Sequence, residues 1–253
     1  MIIYATIVFV VGLAIGSFLN VLIFRIDDLE SVIKTRSHCP HCKKVLSWFE
    51  LIPLLSFIFL LGRCKDCKEK ISIQYPAVEL GTAGLFLLLF YLFGISWQMV
   101  FYAFVFSILI VIFVYDIKKQ LIADELTWVT LILVVLGSWY FGQFSITHML
   151  IGGLICGGVP ALLVLISKEK WMGSGDIKLG LMCGLLVGYP RALFLLFSAF
   201  VLGAAIGLIY MTLKKKTIKD SLPFAPFLIS AALITLVFGE VIVRWYLGYL
   251  SIL

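Results

Sequence analysis

Long apolar runs separated by short polar stretches extend along the whole chain. A helix that crosses a membrane needs about 20 mostly apolar residues. Runs that reach or approach this length lie at residues 2–24, 76–94, 97–117, 125–142, 148–167, 176–189, 191–213 and 224–247. The sixth run is short and contains glycine, so its limits are the least sharply defined. The pattern predicts an all-α polytopic membrane protein with about eight transmembrane helices.

Composition supports this fold class. Of the 253 residues, 62% are hydrophobic, and the mean hydropathy is +1.13. Such a chain has too little polar surface to coat a soluble globule. The first apolar run lacks a basic leading region and a small-residue cleavage site, so we expect it to be retained as the first span rather than removed as a signal peptide.

The net charge of +6 is distributed on alternate sides of the expected spans. Basic residues are frequent in 25–70 and follow the third, fifth and seventh spans. The loops on the opposite side hold essentially only Arg191. The residues after those three spans are Lys118, Lys119, Lys168, Lys170, Lys214, Lys215, Lys216 and Lys219. The positive-inside rule then predicts both termini outside the cytoplasm and the loop at 30–70 inside it. The charge therefore orients the chain, and we expect no nucleic-acid partner.

The most polar loop, between the first two expected spans, carries two Cys-x2-Cys pairs: Cys39 with Cys42, and Cys64 with Cys67. This spacing is typical of a structural zinc site with four thiolate ligands, which leaves no open position for a catalytic water. Redox-active or structural disulfides are the alternative, although a cytosolic loop keeps its thiols reduced. His38 and His41 are further possible ligands.

An apolar segment, Leu51–Leu61, lies between the two cysteine pairs. It is only about half as long as a membrane span and has the length of a re-entrant or interfacial segment. If it crossed the membrane, the two pairs would lie on opposite faces and could not share one ion. The zinc interpretation therefore requires that Leu51–Leu61 does not cross.

Two aspartates fall at span ends. Asp116 ends the third span, and Asp176 opens the sixth in the sequence Gly173-Ser174-Gly175-Asp176. The expected topology places both at the cytoplasmic boundary of the membrane, where ionisable groups are costly and commonly functional. Two neighbouring carboxyl groups cannot both ionise easily, so one keeps its proton. Such a pair can activate water and protonate a peptide carbonyl or leaving group.

Simpler interpretations of these residues exist. An aspartate at a helix start is often only an N-cap, which fits Asp176 and Asp124. Asp116 lies near a helix end, where the macrodipole disfavours an anion, so capping does not explain it. The protein could instead be a metal or ion transporter with the aspartates on its permeation path, or a membrane scaffold that uses the zinc loop to hold a partner. A transporter would usually place polar groups near the middle of the bilayer.

Several motifs, taken in order, resemble those of bacterial type IV prepilin peptidases along nearly the whole chain. They are Gly16-Ser17-Phe18-Leu19-Asn20-Val21 with Arg25, Cys39-Pro40-His41-Cys42, Glu50-Leu51-Ile52-Pro53, Gly62-Arg63-Cys64-Lys65-Asp66-Cys67, Tyr75-Pro76-Ala77-Val78-Glu79, Asp116 with Ile122-Ala123-Asp124, and Gly173-Ser174-Gly175-Asp176-Ile177-Lys178. The family usually has proline where Ala123 stands, so the loop before the fourth span is less constrained here. Interfacial solvation is an alternative explanation for Glu50 and Glu79, and Lys178 could pair with Asp176.

The resemblance implies an aspartic protease of the GxGD type, with Asp116 and Asp176 as its catalytic pair. Such an enzyme cleaves the leaders of type IV prepilins or pseudopilins after a glycine, at the cytoplasmic face of the bacterial inner membrane. It then methylates the new amino terminus with S-adenosylmethionine. Residues 1–95 would carry the zinc loop and the methyltransferase activity, and residues 96–253 the protease core. The contacts of S-adenosylmethionine are not identified by any sequence motif.

Overall fold

The computed structural model describes residues 1–141, 145–213 and 222–250. Lys214, Lys215, Lys216 and Lys219, which contributed to the topology prediction, lie outside the described residues. The described elements, in chain order, are α1 (Ile2–Arg25), α2 (Leu29–Lys34), a 3-10 turn (Trp48–Leu51), α3 (Leu55–Phe59), α4 (Gln74–Phe93), α5 (Trp97–Lys119), α6 (Asp124–Tyr140), α7 (Ile146–Ser167), α8 (Ser174–Val187), α9 (Arg191–Thr212) and α10 (Ala225–Leu250).

A helix lies at each of the predicted spans, and the described residues form no β-strand. Within the described chain, six helices are long and apolar enough to cross a membrane: α1, α4, α5, α7, α9 and α10. Helix α6 has 17 residues and α8 has 14, which is short for a complete crossing. The all-α membrane class is confirmed, whereas the count of eight spans stays a prediction.

The chain divides into two compact units, Met1–Val111 and Ile112–Leu253, and the boundary falls within α5. In the first unit, α1 packs closely against α4 because small residues allow the two backbones to approach. A methyl group added at Gly12 would lie 2.6 Å from the Ala83 Cα, and one at Gly16 would lie 2.7 Å from the Glu79 Cα. This contact holds the backbone of Glu79 against α1.

The apolar segment Leu51–Leu61 does not form a membrane-crossing helix. Its residues form the end of the 3-10 turn and helix α3, which has only five residues. The two cysteine pairs that flank it therefore lie close together in the same loop. The expectation that this segment does not cross the membrane agrees with the structure.

In the second unit, α7 and α8 make the closest helix contact, again through glycines. A methyl group at Gly184 would lie 2.3 Å from the Gly152 carbonyl oxygen. One at Gly180 would lie 2.2 Å from the Cys156 carbonyl oxygen. Helix α8 also packs against α6, α9 and α10. It is therefore surrounded by other helices, which explains how a short, glycine-containing segment remains buried.

Candidate metal site and carboxylate pair

The four cysteines of the loop converge on one point in the first unit. The Sγ atoms of Cys39, Cys42, Cys64 and Cys67 all lie within 4.8 Å of one another, and Cys39 Sγ is 3.9 Å from Cys67 Sγ. Four sulfurs around a tetrahedral zinc ion at about 2.3 Å would be about 3.8 Å apart. The cysteines are all free thiols. The cluster therefore has the donor set and spacing that a metal ion requires, and the disulfide alternative is not supported.

The two Cys-x2-Cys turns have the same backbone construction. The Cys39 N–H donates to the Lys44 carbonyl at 2.9 Å, and the Cys64 N–H donates to the Glu69 carbonyl at 2.8 Å. Each turn then reverses at a lysine in the left-handed region, Lys43 at φ 59° and Lys68 at φ 60°. Both turns thus present two sulfurs in the same way, although their other residues differ. The histidines are not needed to complete the cluster.

Electrostatics also prepares the loop for a cation. The backbone N–H groups of Cys67 and Asp66 donate to the Cys64 sulfur and lower the pKa of this thiol to about 7. A salt bridge between Lys44 and Asp66 connects the two turns. Donors that face a sulfur stabilise its thiolate, which is the form that binds metal. Cys64 is therefore the thiol that these donors prepare for metal binding, whereas burial and the neighbouring sulfurs raise the pKa of Cys67.

In the second unit, Asp116 lies in the last turn of α5 and is 5% exposed. Its carboxylate accepts a hydrogen bond from the Ala225 backbone N–H, at the first residue of α10. The Oδ2 atom is buried and has no hydrogen-bond partner among the described residues. A buried carboxylate oxygen without a partner is unusual, and it marks a place where a water molecule or a substrate can bind.

Asp176 lies in the first turn of α8 and is 7% exposed. It is the third helical residue rather than the N-cap, which is Gly173. Its carboxylate accepts from the Gly173 backbone N–H, and its own N–H donates to the Gly173 carbonyl at 3.2 Å. This is half of a capping box. Asp176 is therefore not the N-cap, as the simple interpretation expected, although its side chain does stabilise the start of the helix.

The charge of Asp116 acts on Asp176. Asp116 lies near the C-terminal end of α5, and Asp176 lies near the N-terminal end of α8. They form a pair of buried carboxyl groups with one unsatisfied oxygen. This arrangement suits acid–base chemistry in which one carboxyl group holds a proton and the other accepts one.

Lys178 pairs with Asp124 instead of Asp176. Its Nζ donates to Asp124 Oδ1 at 2.8 Å and lies 5.6 Å from the centre of the Trp128 ring. Asp124 is the first residue of α6, and the N-cap is the residue before it, Ala123. The expectation that Asp124 acts as an N-cap is therefore wrong. Its role is to join the beginning of α6 to the beginning of α8.

The loop before α6 keeps a conformation suited to proline even though Ala123 occupies that position. Ala123 has φ −73°, within the range to which a proline ring restricts the backbone. The loop then contacts the GxGD turn through Ile122. A methyl group at Gly175 would lie 3.0 Å from the Ile122 Cβ, whereas one at Gly173 would meet only the Asp176 Oδ2, at 3.9 Å. The second glycine is thus the one required for packing.

The two glutamates of the first unit have different environments. Glu50 is a helix-capping residue whose carboxylate accepts from the Ser47 N–H at 2.8 Å and the Ser47 hydroxyl at 2.7 Å. These bonds to Ser47 lower its pKa. Glu79 is 6% exposed and accepts from the Leu54 N–H at 2.8 Å and from the Ser17 side chain. Interfacial solvation is therefore the wrong explanation for Glu79.

Sequence reasoning missed two contributors. The Ala225 backbone holds Asp116 through a main-chain group, which no residue pattern identifies. The close contact of α1 with Glu79 could have been found from the Gly12-x3-Gly16 spacing, which is typical of close helix packing in membranes.

Two family models match successive parts of the chain. Residues 10–93 match the family model described as the bacterial peptidase A24 N-terminal domain, and residues 103–208 match the type IV leader peptidase family. The chain is 34% identical to a prepilin leader peptidase/N-methyltransferase of Bacillus subtilis (strain 168), covering 96% of this chain and 97% of that protein. The chain belongs to the type IV leader peptidase family.

Two further relatives carry the same description. The Legionella pneumophila protein is 33% identical, over 94% of this chain and 92% of its own length. The Aeromonas hydrophila protein is 31% identical, over 96% and 94%. No solved structure matches the chain significantly. The family resemblance found in the motifs is thus confirmed, and the Asp116–Asp176 pair and the cysteine cluster lie within the matched regions.

Proposed function

We propose that this protein cleaves the leader peptides of type IV prepilins or pseudopilins by an aspartic-protease mechanism and methylates the new amino terminus. Family membership supports the reaction class. The observation that carries the assignment of residues is the interacting pair of buried carboxyl groups, Asp116 and Asp176, with Asp116 Oδ2 lacking a partner. A scaffold gives no role to such a pair, and a transporter would usually place its polar groups near the middle of the bilayer rather than at the ends of helices.

The pair acts by sharing one proton. The ionised carboxylate accepts a proton from a water molecule, whose oxygen attacks the scissile carbonyl carbon. The protonated partner stabilises the developing charge on the carbonyl oxygen and then supplies the proton that the leaving amine needs. The Ala225 N–H and the first turn of α8 hold the two side chains in place. The rate should pass through a maximum with pH, and its limits belong to the pair rather than to one residue.

The test is cleavage of a prepilin peptide by purified protein. Asp116→Asn and Asp176→Asn should each abolish cleavage, because an amide cannot exchange the required proton. Glu125→Gln provides the matched control, since Glu125 is an exposed acid in the first turn of α6. All three variants should elute and melt like the parent protein. Substantial cleavage by either aspartate variant would remove these residues from the mechanism.

The cysteine cluster is assigned to zinc, held by Cys39, Cys42, Cys64 and Cys67. Its geometry and its thiolate-stabilising donors fit this ion. With four protein ligands the ion is structural: it ties the two turns together and has no open position for chemistry. S-adenosylmethionine would supply the transferable methyl group as part of a sulfonium. Assigning methylation to residues 1–95 and proteolysis to residues 96–253 belongs to the same proposal.

We propose an orientation in which both the cysteine loop and the aspartate pair lie at the cytoplasmic side of the inner membrane. The distribution of basic residues supports it. Cysteines introduced at Ser31 and Glu169 should be shielded from an impermeant thiol reagent in intact cells. Cysteines introduced at Ser96 and Ser145, in opposite connections, should react. Labelling of the Ser31→Cys protein from outside would reverse the orientation.

A further inference from the structure

A cavity of about 510 Å³ lies within the first unit, between α1, the cysteine loop and the start of α4. It is of the size that holds a small-molecule cofactor. Cys39 and Cys64 contribute to its wall, so the metal site and the cavity share one loop. The peptidase pair belongs to the other unit, and the proteolytic mechanism gives this cavity no role.

The cavity contains a buried carboxyl group. Glu79 is 6% exposed and lines the cavity. Its contacts to the Leu54 N–H and the Ser17 side chain use about half of the roughly four acceptor positions of a carboxylate. A carboxylate in such a place can bind a cationic or hydroxyl-bearing ligand. The two existing hydrogen bonds hold it in a fixed orientation.

Two other kinds of side chain line the same space. Phe24 and Tyr75 form a stacked pair with ring centroids 5.1 Å apart, and both belong to the lining. Aromatic faces of this kind accept a flat heterocycle or a cation. Lys65 and Lys70 supply positive charge on the loop side. The cavity therefore combines an acidic group, an aromatic wall and basic side chains.

This combination fits S-adenosylmethionine. The cofactor carries a sulfonium and an ammonium cation, a carboxylate, ribose hydroxyls and a flat adenine ring. Each of these groups has a counterpart of suitable chemistry in the lining. A purely apolar leader segment would leave the buried Glu79 without a matching group, at a cost in desolvation. The residues thus fit the cofactor that N-methylation requires.

We propose that this cavity is the S-adenosylmethionine site, with Glu79 as the residue that binds the ligand's cationic or hydroxyl groups and the Phe24–Tyr75 pair as the platform for its ring. The inference rests on the proposed methyltransferase function and locates its cofactor-binding site. Because the cysteine loop forms part of the wall, a metal ion held by its cysteines would stabilise this side of the cavity. Removing the metal should therefore weaken cofactor binding without any direct contact between ion and cofactor.

The test measures binding separately from activity. Full-length, zinc-loaded protein in lipid nanodiscs is titrated calorimetrically with S-adenosylmethionine and with sinefungin, an analogue that cannot transfer a methyl group. We expect saturable binding of one ligand per chain. Glu79→Gln and Tyr75→Ala should each weaken it roughly tenfold or more, the scale of losing a charged hydrogen bond or a stacking face. Glu30→Gln, which changes an exposed acid on α2, should bind like the parent.

A second measurement does not depend on any variant folding. Ultraviolet cross-linking of radiolabelled S-adenosylmethionine to the parent protein, followed by peptide mapping, should mark segments within residues 17–79. Zinc content and elution profile verify each variant. Cross-links confined to the second unit, or unchanged affinity in folded Glu79→Gln and Tyr75→Ala, would overturn the cavity assignment while leaving methylation in place. If the parent neither binds the cofactor nor methylates cleaved prepilin, the methyltransferase proposal itself fails. Binding only of prepilin peptide to the cavity would also contradict the inference.

Discussion

Lys178 and Asp124 form a salt bridge of 2.8 Å that connects the N-terminal parts of α8 and α6. Lys178 lies only two residues beyond Asp176, yet it faces away from that catalytic candidate because neighbouring positions on a helix point in different directions. Asp176 therefore has no lysine partner from its own helix turn. Its neighbouring charge is Asp116, which is the arrangement that acid–base chemistry needs.

This bridge should contribute modestly to activity. The side chains of Lys178 and Asp124 are 31% and 61% exposed, and exposed ion pairs contribute about 0.2–1 kcal/mol to stability. Asp124→Asn and Lys178→Met should each reduce cleavage far less than Asp176→Asn does. The loss of stability in the double variant should not exceed the sum of the losses in the two single variants, and the coupling energy should be below about 1 kcal/mol. Complete loss of cleavage in a folded Asp124→Asn protein would instead give this residue a direct catalytic role.

The two glycines of the GxGD turn should differ in their sensitivity to substitution. Gly175→Ala places a methyl group 3.0 Å from the Ile122 side chain, and overpacking of this kind costs about 1–3 kcal/mol. We expect lower stability and lower cleavage, because Asp176 must move with the turn. Gly173→Ala meets nothing closer than 3.9 Å and should melt like the parent.

A second substitution, Ile122→Ala, tests whether the effect of Gly175→Ala comes from a steric clash with Ile122. Removing the isoleucine side chain opens space for the alanine methyl group, so the double variant Gly175→Ala/Ile122→Ala should recover cleavage relative to Gly175→Ala. The measurements are thermal unfolding in detergent and the rate of prepilin cleavage. If Ile122→Ala gives no recovery, the steric explanation is incorrect.

Alanine substitution should destabilise the protein at Gly184 but not at Gly158. An alanine at position 184 would bring its methyl group 2.3 Å from the Gly152 carbonyl, so α7 and α8 would have to separate. Gly158 lies within α7 and has no atom within 4 Å of the corresponding position. Alanine there should be neutral or stabilising by up to about 1 kcal/mol, the difference in helix propensity. The measurement is thermal unfolding of the two variants. Equal changes in their stability would contradict the observed contact between α7 and α8.

Zinc content should depend on all four cysteines. We expect about one zinc per chain, with Zn–S distances of about 2.3 Å by X-ray absorption. Replacing Cys42 or Cys67 by serine should release the ion, as should acidification, because protons compete with the metal for the thiolates as the pH falls. Loss of zinc should impair methylation more than cleavage, since the cysteines and the aspartates belong to different units. Cys183→Ser, a substitution of a buried cysteine outside the cluster, is the control and should retain the metal.

Features carried by short stretches of sequence could be predicted. The spacing of Cys39, Cys42, Cys64 and Cys67 requires only two local turns, and both form as expected. The apolar runs predicted a helix at each proposed position because backbone hydrogen bonds in a membrane must be satisfied within the segment. The positions of Asp116 near the end of one helix and Asp176 near the start of another could also be predicted.

The partners of individual side chains were decided only by tertiary structure. A helix that is apolar on all sides carries no periodic signal to show which face meets which neighbour. The sequence of α8 therefore left open whether Lys178 would face Asp176 or Asp124, and the packing of α8 against α6 selected Asp124. In the same way, the contact of α1 with α4 buried Glu79, and the start of α10 supplied the Ala225 N–H to Asp116. These contacts join residues far apart in the chain, and close helix packing, not local pattern, determines them.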